Sequence, residues 1–104
     1  MDTENALAAL TAVAQESRLA VFRLLVGAGP AGLAARKIAD HLGIAPSSLS
    51  FHLKELAHAD LVAQRQEGRF VIYSANFDTM NALIAFMSEN CCAGNPCGPA
   101  LPKT

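Results

Sequence analysis

Three thiols crowd the C-terminal end of this 104-residue chain, Cys91, Cys92 and Cys97, and the sequence has no others. An odd number in one cluster makes a poor disulfide framework. It suits a soft metal ion or redox chemistry instead. Adjacent cysteines on a continuing helix point about 100° apart, so Cys92 must leave the helix before both sulfurs can face one ion. The linker 93–96, Ala-Gly-Asn-Pro, permits that departure. Five residues span at most roughly 17 Å, and Gly94, Asn95 and Pro96 favour a return, so Cys97 can close a three-sulfur cage within one subunit. A disulfide between Cys92 and Cys97 is the sterically easy alternative. Against it stands the negative end of the preceding helix, which disfavours thiolate and slows oxidation. A small thiol enzyme, such as a disulfide reductase, would place its nucleophile at a helix N-terminus or in a phosphate-cradling loop. Here the thiols trail a helix C-terminus.

The second group of informative side chains lies in Leu42–Val62. At helical spacing Leu49, Leu53 and Leu56 share one side, while Ser47, Phe51, Lys54 and His58 share the other. Pro46 fits the first turn, where its missing N–H has no intrahelical partner. The helix is predicted from near Pro46 to near Asp60. Upstream, Ala35–Leu42 also reads helical, with Ile38, Ala39 and Leu42 inward and Gly43 as its stop. Two short helices separated by three residues, the second presenting small polar groups at its start, form a helix-turn-helix pattern that points to DNA. Ser47, Ser48 and Ser50 have no paired base, which argues against a serine nucleophile. His52 and His58 fall on different faces and make a poor zinc pair. His52 flanks the core edge, where a hydrogen bond or a phosphate contact is expected.

The remaining chain supplies elements to carry these groups. Thr3 to about Ala14 places Ala6, Leu7, Leu10 and Val13 at helical spacing with Thr3 as N-cap, and Ser17–Ala28 forms a second helix. Gly27–Gly32 reads as a plain turn, because a nucleotide loop would follow a strand and end in Gly-Lys-Ser/Thr. Leu61–Glu67 and Phe70–Ala75 alternate around Gly68-Arg69, a hairpin with a basic tip, hence a wing. Arg65 and Arg69 are expected to reach a phosphate or the minor groove. A last helix from Asn76 to about Asn90 carries Phe77, Met80, Leu83, Ile84 and Met87. Such a stripe is too apolar for a helix facing water, so it is read as a dimer seam packed with the first helix.

Formal net charge is only −1, yet residues 17–75 hold seven basic and four acidic side chains, a local +3 that pairing would double. With 52% hydrophobic residues in so short a chain, some apolar surface must be covered by a partner. No apolar run approaches the roughly 18 to 20 residues that cross a bilayer, and a cytoplasmic protein is expected. The reading is a mainly α fold with five helices and a small β-hairpin. Residues 1–90 are assigned to DNA binding and dimerisation and 91–104 to a cysteine-bearing tail.

The segments QESRLAVFRLL, KIADHLGIAPSSLSFHLKELAHADLV and RQEGRFVIYSA, in this order of elements, resemble the ArsR-type metalloregulators, winged helix-turn-helix repressors of arsenic and heavy-metal resistance. The resemblance covers roughly Leu7–Met87. It implies a homodimer that holds operator DNA without metal and leaves it when metal binds. It also places DNA contacts at Pro46, Ser47, Ser50 and Phe51, of which the first and last depart from the usual polar residues; Phe51 can meet a thymine methyl. With the neighbouring basic and polar groups, the candidate DNA-facing set is Arg36, Lys37, Pro46, Ser47, Ser48, Ser50, Phe51, His52, Lys54, Arg65 and Arg69. Two familiar sensor sites are missing, since ARKIADHLG has no cysteine and the last helix no histidine. Sensing therefore falls to Cys91, Cys92 and Cys97, whose three thiolates suit As(III) or Sb(III).

Overall fold

The computed structural model describes residues 1–94. Five α-helices, α1 (Thr3–Val13), α2 (Glu16–Ala28), α3 (Ala35–Leu42), α4 (Pro46–His58) and α5 (Phe77–Met87), surround a small antiparallel sheet. Its strands are β1 (Leu33–Ala34), β2 (Val62–Glu67) and β3 (Phe70–Ala75), in the order β1-β3-β2. A 3-10 turn occupies Gly29–Ala31, and Cys91–Gly94 forms a kinked turn whose backbone is non-helical at Cys92 and Ala93.

One core unites the helices, because each contributes small or aliphatic side chains at helical spacing. Ala9 of α1, Val21 and Leu25 of α2, Ile38 of α3 and Leu49, Leu53 and Leu56 of α4 meet there, closed below by Leu61, Val62 and Ala75. The alanines of α1 let its backbone approach α2 closely. Arg18 Nε donates to the Ala12 carbonyl at 2.6 Å and ties the joint between these two helices.

Helix boundaries follow local chemistry, with three corrections to expectation. The first helix is capped by Asp2, whose Oδ1 accepts from Asn5 N–H at 2.8 Å, so Thr3 is its first residue and not its cap. An aspartate one residue earlier reaches the third N–H better than a threonine already inside the turn. The last helix stops at Met87 instead of near Asn90, where φ is +58°. Ser88 Oγ donates back to the Ile84 carbonyl at 2.8 Å, closing the final turn early.

The third correction is the sheet. The sequence points to a hairpin and to a turn at Gly27–Gly32; the turn is present as a 3-10 turn, and the strand missed is β1 just after it, which pairs with β3 through Leu33 opposite Tyr73 and Ala34 opposite Ile72. Gly32 is required at this approach. Its φ is +67°, and an added Cβ would fall on the Tyr73 carbonyl.

Candidate nucleic-acid interface

The turn between α3 and α4 is built from three residues. Gly43 takes the left-handed conformation at φ +64°, ending α3, and Ile44 N–H donates to the Ala39 carbonyl at 3.1 Å. Ala45 is extended and Pro46 opens α4. Burial of Ile38 and Ala39 on α3 and of Leu49, Leu53 and Leu56 on α4 then fixes the rotation of both helices. As a result Pro46, Ser47, Ser48, Ser50, Phe51 and Lys54 are all exposed on α4, with Arg36 and Lys37 exposed on α3. Eight of the predicted DNA-facing residues are thus exposed on the two helices of the motif. Phe51, 55% exposed among serines and a lysine, is a large apolar group on an otherwise polar face.

His52 departs from this pattern. It is half-buried, its ring lies edge-on to Phe51 at 5.9 Å, and its Nδ1 is buried without a hydrogen-bond partner. The hydrogen bond expected of His52 is therefore not made at this nitrogen.

The wing places its two arginines differently. Arg69 stands exposed in the two-residue turn beside Gly68, whose φ is +60°. Arg65, expected to reach DNA, is turned back onto the protein. Its guanidinium donates to the Pro30 carbonyl at 3.1 Å and the Ala31 carbonyl at 2.6 Å, and Glu67 lies 3.4 Å away. Because β1 and its preceding turn flank the sheet, carbonyls with no helical partner lie within this side chain's reach. Arg65 thus braces the wing against the turn before β1, where the sequence expects it to reach a phosphate or the minor groove.

Two features carry no local signal. Between α4 and the wing runs a cleft of about 310 Å³ lined by Ser50, Lys54, His58, Gln64 and Tyr73. Behind α4, Thr79 of α5 is buried and its Oγ1 donates to Asp60 Oδ2 at 3.2 Å, while Asn76 N–H donates to the Leu61 carbonyl at 2.8 Å. The start of α5 is therefore bonded to the end of the recognition helix. Alternation along β2 and β3 could have paired Gln64 with Tyr73, but not with α4.

At the far end of α5 the chain departs from the helix, as the cysteine pair requires. Cys92 and Ala93 both adopt left-handed backbone, with φ of +56° and +53°. Cys91 Sγ and Cys92 Sγ lie 3.9 Å apart, a contact distance. Sulfurs bound to one ion through bonds of about 2.3 Å can be no further apart than about 4.6 Å, so this pair is within range. Cys97 lies outside the described residues, and among those described no three His, Cys, Asp or Glu side chains gather as a metal site.

This geometry agrees with comparisons to known proteins. A model described as a helix-turn-helix domain matches residues 13–65, just over half of the chain. The transcriptional repressor SdpR of Bacillus subtilis (strain 168) is 29% identical over 82 residues, covering 75% of this chain and 88% of SdpR. An ArsR-like transcriptional regulator from Rhodococcus sp. RHA1 superposes with a TM-score of 0.74 at 24% identity, over 86% of this chain and 81% of that one. The chain belongs to the ArsR-type winged helix-turn-helix family. It is a transcriptional regulator of that type, and its matched relatives are regulators rather than enzymes. A further structure, solved as a possible transcriptional regulator for arsenical resistance, matches at a TM-score of 0.65 and 28% identity over 76% of this chain and 79% of its own. Among the described residues no helix is long and apolar enough to cross a membrane.

Proposed function

We propose that this ArsR-type regulator is a repressor that grips operator DNA as a homodimer and lets go when As(III), or Sb(III), is bound by Cys91, Cys92 and Cys97. The observation that carries the sensing half is the left-handed backbone at Cys92, which brings its sulfur beside that of Cys91 at the end of α5. Soft thiolates select thiophilic ions, and three of them match the pyramidal preference of trivalent arsenic. The structure solved as a possible arsenical-resistance regulator adds support from the family side.

Pairing is supported by the surface of α1 and α5. Leu7 is 58% exposed, Ile84 57% and Met87 65%, on two helices that touch one another. Apolar area of this kind on a small chain is stabilised by a second copy. In the dimer the two recognition helices must lie about 34 Å apart, one turn of DNA. Ion capture at the end of α5 pulls on a helix whose other end is bonded to Asp60 and Leu61 behind α4. Small shifts of α5 then change the spacing of the DNA-reading helices.

A second reading has its own observation. Cys91, rather than the Cys92 expected from the sequence, is disulfide-bonded, so oxidation of the tail thiols is an alternative trigger. Ion binding needs those sulfurs reduced, since the thiolate is the ligand. Gel-shift with operator-like palindromic DNA separates the two. Under a phosphine reductant, arsenite should release the wild-type protein and leave a Cys91→Ser, Cys92→Ser, Cys97→Ser triple variant bound. Equal release of both proteins would sink the arsenic reading. Release by oxidant alone, with arsenite inert under reductant, would favour the redox one.

A further inference from the structure

We infer that the cleft between α4 and the wing seats the sugar-phosphate strand dividing the two DNA grooves, and that Gln64 and Tyr73 are positioning contacts to its phosphates. This rests on the DNA-binding reading above. The sheet register sets Gln64 opposite Tyr73, so the two side chains leave the same face of the β2–β3 ribbon. Arg65, opposite Ile72, leaves the other face and is consumed by the carbonyls of Pro30 and Ala31. The face with Gln64 and Tyr73 looks across the 310 Å³ cleft at Ser50, Lys54 and His58 of α4.

In B-form DNA a single backbone strand separates a major groove from the adjoining minor groove. A helix lying in the first and a wing tip in the second must straddle that strand. Whatever lines the space between helix and wing therefore meets phosphates. The lining suits them. A lysine ammonium, a phenol and a carboxamide all donate hydrogen bonds, and no carboxylate lines the cleft. Among the described residues no hydrogen-bond partner within the protein meets the side chains of Lys54, Gln64 or Tyr73. The groove between α3 and α4 is poorer on the same criterion, because Asp40 lines it.

Fluorescence anisotropy with a labelled mixed-sequence duplex of about 30 base pairs, titrated with the full chain across a salt series, tests this. Lys54→Met should make the slope of log affinity against log salt shallower by about 0.9. Tyr73→Phe and Gln64→Ala remove neutral donors, so each should weaken binding about five- to tenfold with little change of slope. Tyr73→Phe keeps the ring, and an unchanged melting temperature for it separates a lost contact from a lost fold. Affinities within twofold of wild type for Tyr73→Phe and Gln64→Ala, while Arg69→Ala still weakens binding, would overturn this inference alone. Failure of the wild-type chain to bind the duplex at low salt would overturn it together with the DNA reading.

Discussion

Helices α4 and α5 are of similar length and both carry apolar residues at helical spacing, yet the fold treats them in opposite ways. In α4 every leucine is sunk, Leu49, Leu53 and Leu56, and polar groups face outward. In α5 the single buried residue is Thr79, while Ile84 and Met87 stand out in solvent. The difference lies in how many neighbours each helix has. Helix α4 is enclosed by α1, α2, α3 and β2, whereas α5 lies at the margin with α1 beside its apolar side. An apolar stripe thus means core in one helix and an exposed apolar face in the other.

Substitutions can break this contrast, and the largest effect belongs to the margin. Ile84→Glu places a charge in the proposed seam, and sedimentation should find the single 10.9 kDa chain in place of a pair. Losing the second reading head should lower operator affinity by about 100-fold or more. A dimer that survives the change would show that α5 is not the seam. Leu56→Ala strikes the enclosed helix instead. It should cost about 3 kcal/mol in urea unfolding, from lost burial plus the cavity left behind. A cost below about 1 kcal/mol would mean α4 is less firmly held than its burial implies.

Smaller effects sharpen the same picture. Gly32→Ala forces a methyl onto the Tyr73 carbonyl at a positive φ, with an expected loss of about 2 kcal/mol and weaker β1 pairing. Amide exchange at Leu33 and Ala34 would register it. Thr79→Val removes the hydroxyl that bonds Asp60, and about 1 kcal/mol of stability should go with it. If α5 signals through this joint, the variant should also need more arsenite for DNA release. Arg65→Met is expected to cost less than about 1 kcal/mol, because the side chain is 42% exposed and water competes for its carbonyls. Its sign should appear instead as faster exchange of amides at the wing tip.

Much of the molecule was legible residue by residue. The bounds of α3, the start of α4, the buried leucines and the exposed serines all follow from periodicity, a proline that fits a first turn and a glycine that tolerates left-handed backbone. The need for Cys92 to quit the helix came from geometry alone. Legibility failed where the outcome depends on what lies far along the chain. Arg65 and Arg69 look alike in sequence, four residues apart on one hairpin, yet one is a brace and the other an exposed tip. Thr79 sits on a stripe otherwise apolar, and nothing near it announces Asp60.

From the sequence alone came the five helices, the reading face of α4 and the thiol cluster, since local spacing and backbone preference act over a few residues and need no partner. Only the tertiary structure decided which strand flanks β3, which face of the wing looks at α4, which arginine is spent internally and how α5 is fastened to the recognition helix. Those outcomes depend on register and on contacts between residues distant in the chain. Pairing energies of this kind exist only once the core has closed, so no window of sequence contains them.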